Sequence, residues 1–197
     1  MSAKRIIWAK FLNAGQTCVA PDYILVDQKI ETSFLEALKI EIETNYSQSE
    51  VCENYVKIIN EKAFDRLVNL IDAAKLYFGG NIEREKRFIS PTILQNVSFD
   101  DEVMKEEIFG PILPIISFTN LDEVIQKVKS NPKPLAAYIY SKNQQKINKI
   151  LSEVSFGGGC INDSLIHLSN SNLPFGGVGL SGFGSYHGKS GFDTFSH

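Results

Sequence analysis

The chain has 197 residues, 43% of them hydrophobic and 22% charged, which is length enough for a sizeable core and ordinary composition for a folded globular protein. Its formal charge of -3 gives no electrostatic case for nucleic acid or an anionic membrane surface. Three dispersed cysteines, Cys18, Cys52 and Cys160, do not form a disulfide framework and show no CxxC or Cys/His spacing for zinc, so no metal is expected.

No apolar run reaches the roughly 18 residues of a membrane span, and the N-terminus lacks the apolar core of a signal peptide. The expected compartment is cytoplasmic.

In chain order, Ile7, Trp8, Phe11 and Leu12 recur at the i, i+1, i+4, i+5 spacing of one helical face, and Gly15 supplies a left-handed stop. Pro21 forbids a helix restart, and Tyr23-Ile24-Leu25-Val26 reads as a short buried strand. Cys18 therefore sits on a constrained connection at the edge of a core, where a nucleophile can be presented and polar backbone can surround a reacting atom. The competing reading is a buried, inert cysteine.

Beyond the first strand, Ile30, Phe34, Leu35, Leu38 and Ile42 mark a helix over about 31–43. Asn60 can cap a second helix striped by Phe64, Leu67, Val68 and Ile71, ahead of a strand at Leu76-Tyr77-Phe78 and a turn at Gly79-Gly80. Residues 87–94 read as extended. Residues 112–118 form a near-continuous apolar run, as expected of a strand covered on both faces. Asn120 with Glu123 resembles a capping arrangement for a helix over 121–129. Residues 135–140 read as a strand and 143–154 as an amphipathic helix. After Phe156 the chain reads as Gly-rich loop with short apolar pieces. The alternation specifies an α/β fold, an open, mostly parallel sheet with flanking helices, in one domain over 1–197.

Gly177-Val178-Gly179-Leu180-Ser181-Gly182 satisfies GxGxxG literally, but no hydrophobic strand precedes it and no helix follows directly, so a dinucleotide fingerprint is not assigned. Gly188-Lys189-Ser190 fails as a phosphate loop because Phe183 stands where the first glycine is required. These glycines are read as permitting close backbone packing in a loop at an active-site entrance. Glu106 and Glu107 could be solvated carboxylates before a buried strand, and Phe109 and Pro111 a core aromatic and a strand-entry residue. Cys18 with His167 or His187 would suit a Cys/His hydrolase, yet no third orienting group supports it.

Three elements in order, Gly15-Gln16-Thr17-Cys18, Glu106-Glu107-Ile108-Phe109-Gly110-Pro111 and Leu173-Pro174-Phe175-Gly176-Gly177-Val178-Gly179 with Ser181-Gly182 behind it, resemble the aldehyde dehydrogenase superfamily. The stretches Gln16 to Tyr23 and Gly184-Ser185-Tyr186-His187-Gly188-Lys189 look most like its class 3 branch, which acts on fatty and aromatic aldehydes. The resemblance spans about 5–197.

It implies a catalytic domain that oxidises an aldehyde to a carboxylic acid with NAD or NADP, with Cys18 as thiolate nucleophile. It further implies that Glu107 accepts hydrogen bonds from the nicotinamide ribose, that Phe109 packs near the nicotinamide ring, and that His187 lies at the substrate or cofactor edge. His167 is expected to be structural. A dinucleotide-binding domain, a general-base Glu and an oxyanion Asn lie upstream of the thiol in the family, so this chain is expected to be the C-terminal, catalytic part, and the complete protein a homodimer. A catalytically incomplete piece with thiol reactivity only, and a non-catalytic assembly module, are the alternatives.

Overall fold

A computed structural model describes residues 1–46 and 54–196. Cys52 lies outside the described residues. The chain groups into two compact units, Ala3–Thr119 and Asn120–His197.

In the first unit, α1 spans Ser2–Phe11 and buries Ala3, Ile6, Ile7, Ala9, Lys10 and Phe11. The expected stripe is thus rotated: Trp8 and Leu12 are exposed, and Lys10 takes an inward position beside Ile7. The strand β1, Ile24–Asp27, buries only Val26. It is less buried than its apolar run suggested because it is an edge strand. The helix α2, Glu31–Tyr46, buries Leu35, Leu38 and Ile42 as the periodicity requires.

Asn60 caps α3, Glu61–Asn69, its side-chain oxygen accepting the Ala63 N–H at 2.8 Å. The strand β2, Leu76–Phe78, follows, and Gly79 and Gly80 both turn with positive φ. The extended stretch over 87–94 is in fact two strands, β4 (Phe88–Ile89) and β5 (Thr92–Leu94), separated at Ser90-Pro91. β4 pairs antiparallel with β3, Ile82–Glu83, a two-residue strand too short for a periodic signal.

The run over 112–118 is β6, Ile112–Phe118, buried from Ile112 to Ile116. It occupies a central place in the order β1-β6-β5-β2 and runs parallel to β1 and β5, while β2 adds antiparallel. Pro114, which has no N–H, stands where pairing with β5 ends at Leu94 and pairing with β1 begins at Ile115. The core of this unit joins Phe64, Leu67, Leu94, Ile112 and Ile116 to two loop residues, Ala14 and Ile108.

The second unit contains α4 (Leu121–Lys129), capped by Asn120, β7 (Ala136–Ile139) and α5 (Gln144–Glu153), capped by Asn143. The stretch read as loop after Phe156 contains a strand, β8 (Gly158–Ile161), parallel to β7. Its glycines hid it: a Cβ at Gly159 would collide with the Ala137 carbonyl oxygen, so close strand approach selects the residue that propensity reads as loop. Two short helices, α6 (Ile166–Ser169) and α7 (Gly188–Thr194), follow.

Parallel pairings dominate, and the architecture is the expected α/β class with mostly parallel strands. No helix among the described residues is long and apolar enough to cross a membrane.

Candidate functional site

The thiol is presented by a strained, braced turn. After α1 the backbone takes three successive left-handed residues, Asn13 and Ala14 at φ 54° and Gly15 at φ 72°. Asn13 tolerates this conformation through its side chain, but for Ala14 it costs about 1 kcal/mol or more, met here by complete burial of that residue in the core. A Cβ on Gly15 would collide with the Gly110 carbonyl oxygen, and one on Gly110 with the Leu67 side chain. The two glycines therefore let the loop before Cys18 and the loop after Glu107 lie backbone against backbone over α3.

Gln16 holds the loop from its other side. Its amide donates to the Asn13 and Lys57 carbonyls, both at 3.2 Å, and its Oε1 accepts the Ile59 N–H at 2.9 Å. A turn follows, closed by the Ala20 N–H donating to the Thr17 carbonyl at 2.9 Å. At its tip Cys18 is an exposed free thiol, while Val19 is fully buried and pins the turn down. Among the described residues the Cys18 N–H donates to no backbone acceptor.

The second loop alternates in the same way. Ile108 is fully buried, its N–H donating to Asp22 Oδ1 at 3.0 Å. Arg66 of α3 donates to the carbonyls of Glu107, at 3.3 Å, and of Ile108. Against this anchorage Phe109 is 40% exposed and adopts φ 50°, a left-handed geometry that is strained for an aromatic residue. It is therefore no core aromatic. Glu107 is exposed beside it.

Beneath this surface the electrostatics are unusual. Lys10 is fully buried, and among the described residues its Nζ has no hydrogen-bond partner. Burial lowers its pKa to about 8, opposed by the carboxylates of Asp22 and Glu107. Burial pushes the Asp22 carboxyl above its ordinary range, against the pull of Lys10, the Ile108 N–H and Arg66. Glu107 is raised by partial desolvation and then by Asp22, with Lys10 and Arg66 opposing, although its exposure leaves solvent to screen these effects.

An exposed carboxylate and an exposed ring, each fixed from behind by a buried neighbour, fit a nicotinamide riboside: the carboxylate accepts ribose hydroxyls and the ring offers an apolar face. Lys10, Asp22 and Arg66 were not singled out in the sequence. Only Lys10 carried a signal, a charge three residues after Ile7 on a buried helical face.

His187 belongs to the second unit. It has a strained φ of 88°, stacks on Phe175 at 5.6 Å, and keeps a buried Nδ1 without a hydrogen-bond partner. His167 packs edge-on against Tyr138 and lies 3.7 Å from the Cys160 sulfur through Nδ1. Burial raises the thiol of this pair and lowers the imidazole, so both stay neutral and the pair is not an activated nucleophile.

The GxGxxG segment folds as a short 3-10 turn, Gly179–Ser181, closed by the Val178 N–H donating to Ser181 Oγ at 2.8 Å. A Cβ at Gly177 would strike the Ser181 carbonyl, so the glycine serves internal packing. Lys189 pairs with Asp193 along α7. No cluster of metal-ligating side chains occurs among the described residues.

Comparison with known proteins agrees with this layout. The model of the aldehyde dehydrogenase family matches residues 1–197. The chain is 46% identical over 198 residues to the mouse aldehyde dehydrogenase described as dimeric and NADP-preferring, covering all of this chain and 44% of that protein. It is 44% identical to mouse aldehyde dehydrogenase family 3 member A2, covering all of this chain and 41% of that one. The substrate-bound state of Staphylococcus aureus AldH superposes with a TM-score of 0.96 at 46% identity, over all of this chain and 43% of that structure. The chain thus spans less than half the length of these relatives, and the family model matched over its whole length, together with these relatives, shows that it belongs to the aldehyde dehydrogenase family.

Proposed function

We propose that this chain supplies the nucleophile and the nicotinamide-riboside rest of an NAD(P)-dependent aldehyde dehydrogenase of the class 3 type. The observation that carries the reading is the contact of Gly15 with Gly110, which sets the exposed Cys18 turn against the loop displaying Glu107 and Phe109.

In this reading the Cys18 thiolate attacks the aldehyde carbon, forming a C–S bond and an oxyanion. The Cys18 N–H, which has no backbone acceptor among the described residues, donates to that oxyanion, and such a preorganised donor is worth about 3 kcal/mol in related chemistry. NAD(P), when bound, would supply the hydride acceptor; with the hydride lost, the former aldehyde carbon would stand as an acyl thioester on Cys18. Water then cleaves the C–S bond, releasing the carboxylic acid and restoring the thiol. Glu107 would hold the ribose hydroxyls and Phe109 would flank the nicotinamide.

A homodimer fits the description of the mouse relative, and a reducing, cytoplasmic setting suits the free thiols of Cys18 and Cys160. The test is aldehyde-dependent NAD(P)H formation by the protein carrying this chain. Cys18→Ala should abolish it, together with the acyl adduct on the Cys18 peptide in mass spectrometry. Turnover that survives the substitution would remove Cys18 from the chemistry.

A further inference from the structure

We propose that Lys10 is a positioning residue for Glu107: its buried ammonium is the counter-charge that allows Asp22 and Glu107 to stand ionised on adjoining loops. This rests on reading Glu107 as the ribose-holding carboxylate. Lys10 lies in the last turn of α1, upstream of the thiol, with no exposed surface and, among the described residues, no hydrogen bond to its Nζ. A buried ammonium without a hydrogen bond is costly, and a methionine would fill the same volume without that cost. What its charge offers is electrostatic.

The backbone of Lys10 lies where the Gly15 turn meets the Gly110 loop, and the carboxylates that act on its charge are Asp22, which follows Cys18 by four residues, and Glu107. Asp22 is fixed by the Ile108 N–H, and Glu107 immediately precedes Ile108, so the carboxylate that anchors the loop lies close to the one the loop displays. The two repel: Asp22 raises the pKa of Glu107. Arg66 also acts on both, but its guanidinium is committed to the carbonyl oxygens of Glu107 and Ile108. Tyr23 senses Asp22 as well, its phenol being pushed up by burial and by that carboxylate.

The ammonium thus balances a pair of like charges that would otherwise compete for one proton. Its pKa near 8 means that the balance holds at neutral pH and is lost just above it.

The experiment is a carboxyl titration of the purified protein carrying this chain, without cofactor and labelled with 13C at glutamate Cδ, with the Glu107 signal assigned by its loss in Glu107→Gln. In the wild type, Glu107 should show its main titration and a second, smaller inflection near pH 8 as Lys10 loses its proton. In Lys10→Met the second inflection should vanish and the main titration move upward by about one unit, the size expected on removing a nearby opposite charge. A Glu107 titration unchanged by Lys10→Met overturns the proposal.

Should Lys10→Met not fold, Asp22→Asn reads the same network from its other side. It must move the Glu107 titration downward, and an unmoved curve again overturns the proposal. The measurement needs no cofactor, so it is decided independently of whether Glu107 holds a ribose. That separate reading fails if Glu107→Gln leaves cofactor-dependent turnover intact.

Discussion

The Ile108 N–H donates to the Asp22 carboxylate at 3.0 Å, so the residue four places after the thiol is tied to the residue one place after Glu107. This bond spans 86 residues of sequence and works alongside the glycine contact between Gly15 and Gly110. A hydrogen bond on one side and a close backbone-to-backbone packing contact on the other fix both the distance and the rotation between two loops. In the reading proposed above that rigidity serves the chemistry, because a nucleophile and a cofactor rest would have to share one geometry to within a fraction of an ångström.

The first prediction concerns the thiols. Cys18 is exposed, whereas Cys160 is half-buried and its pKa is raised, chiefly by burial. Brief iodoacetamide treatment near pH 7.5 should alkylate Cys18 well before Cys160, because the thiolate is the reacting form and access is required. Peptide mass spectrometry over a time course checks this. Equal labelling of the two cysteines would contradict the exposed-turn geometry.

The second concerns the glycine contact. Gly15→Ala places a Cβ against the Gly110 carbonyl and forces alanine into φ 72°. The combined strain should destabilise the chain by about 2–4 kcal/mol in urea unfolding, among the larger single-residue effects. By contrast, Gly184→Ala meets no atom within 4 Å and has only its φ of 74° to accommodate, so it should cost about 1 kcal/mol. If the two variants proved equally stable, the close approach of the two loops would be wrong.

Much of this was legible in the sequence, and the failures share a cause. Residues 121–129 and 112–118 were readable because period and capping chemistry act locally: Asn120 announces a helix, and an unbroken apolar run announces a covered strand. Cys18, Glu107 and Phe109 were legible as candidates through their flanking residues.

What the pattern concealed is long-range. Gly159 is glycine because Ala137 lies against it, the buried charge of Lys10 is partly offset by Asp22 and Glu107, and Gln16 reaches Lys57 and Ile59 more than 40 residues away. Apart from Asp22, none of these partners is within a periodicity window. Lys10 alone broke a local rule, a charge on a buried face, and such breaks are where functional devices are expected.

The third prediction tests the cofactor rest. Glu107→Gln keeps size but removes the charge and one acceptor oxygen, leaving the loop anchored by Ile108 and Arg66 intact. Hydride transfer in a single turnover should slow by the equivalent of about 1.5–3 kcal/mol, the value of a hydrogen bond to a charged group. Stability should change little, because the residue is exposed. An unchanged single-turnover rate would refute the role.

The last prediction is the pH dependence of stability set by Lys10. Its pKa falls from an ordinary value of 10.5 to about 8 in the folded chain, with burial as the largest cause. Between those values the unfolded chain binds the proton and the folded chain does not, so the sign of linkage makes stability rise with pH across that window. The full cost of keeping the ammonium buried, about 3 kcal/mol, is present below pH 8 and is relieved as pH approaches 10.5.

Buried tyrosines act the other way. Tyr46 and Tyr55 have raised pKa values through burial, so the folded chain holds their protons longer and loses stability as the unfolded chain ionises. The difference between wild type and Lys10→Met cancels that contribution. Urea unfolding at pH 7 and at pH 9.5 should therefore show the wild type gaining about 2 kcal/mol relative to Lys10→Met at the higher pH. A difference that stays constant between the two pH values would mean that Lys10 titrates in the folded chain as it does in the unfolded one, and that its burial carries no electrostatic cost.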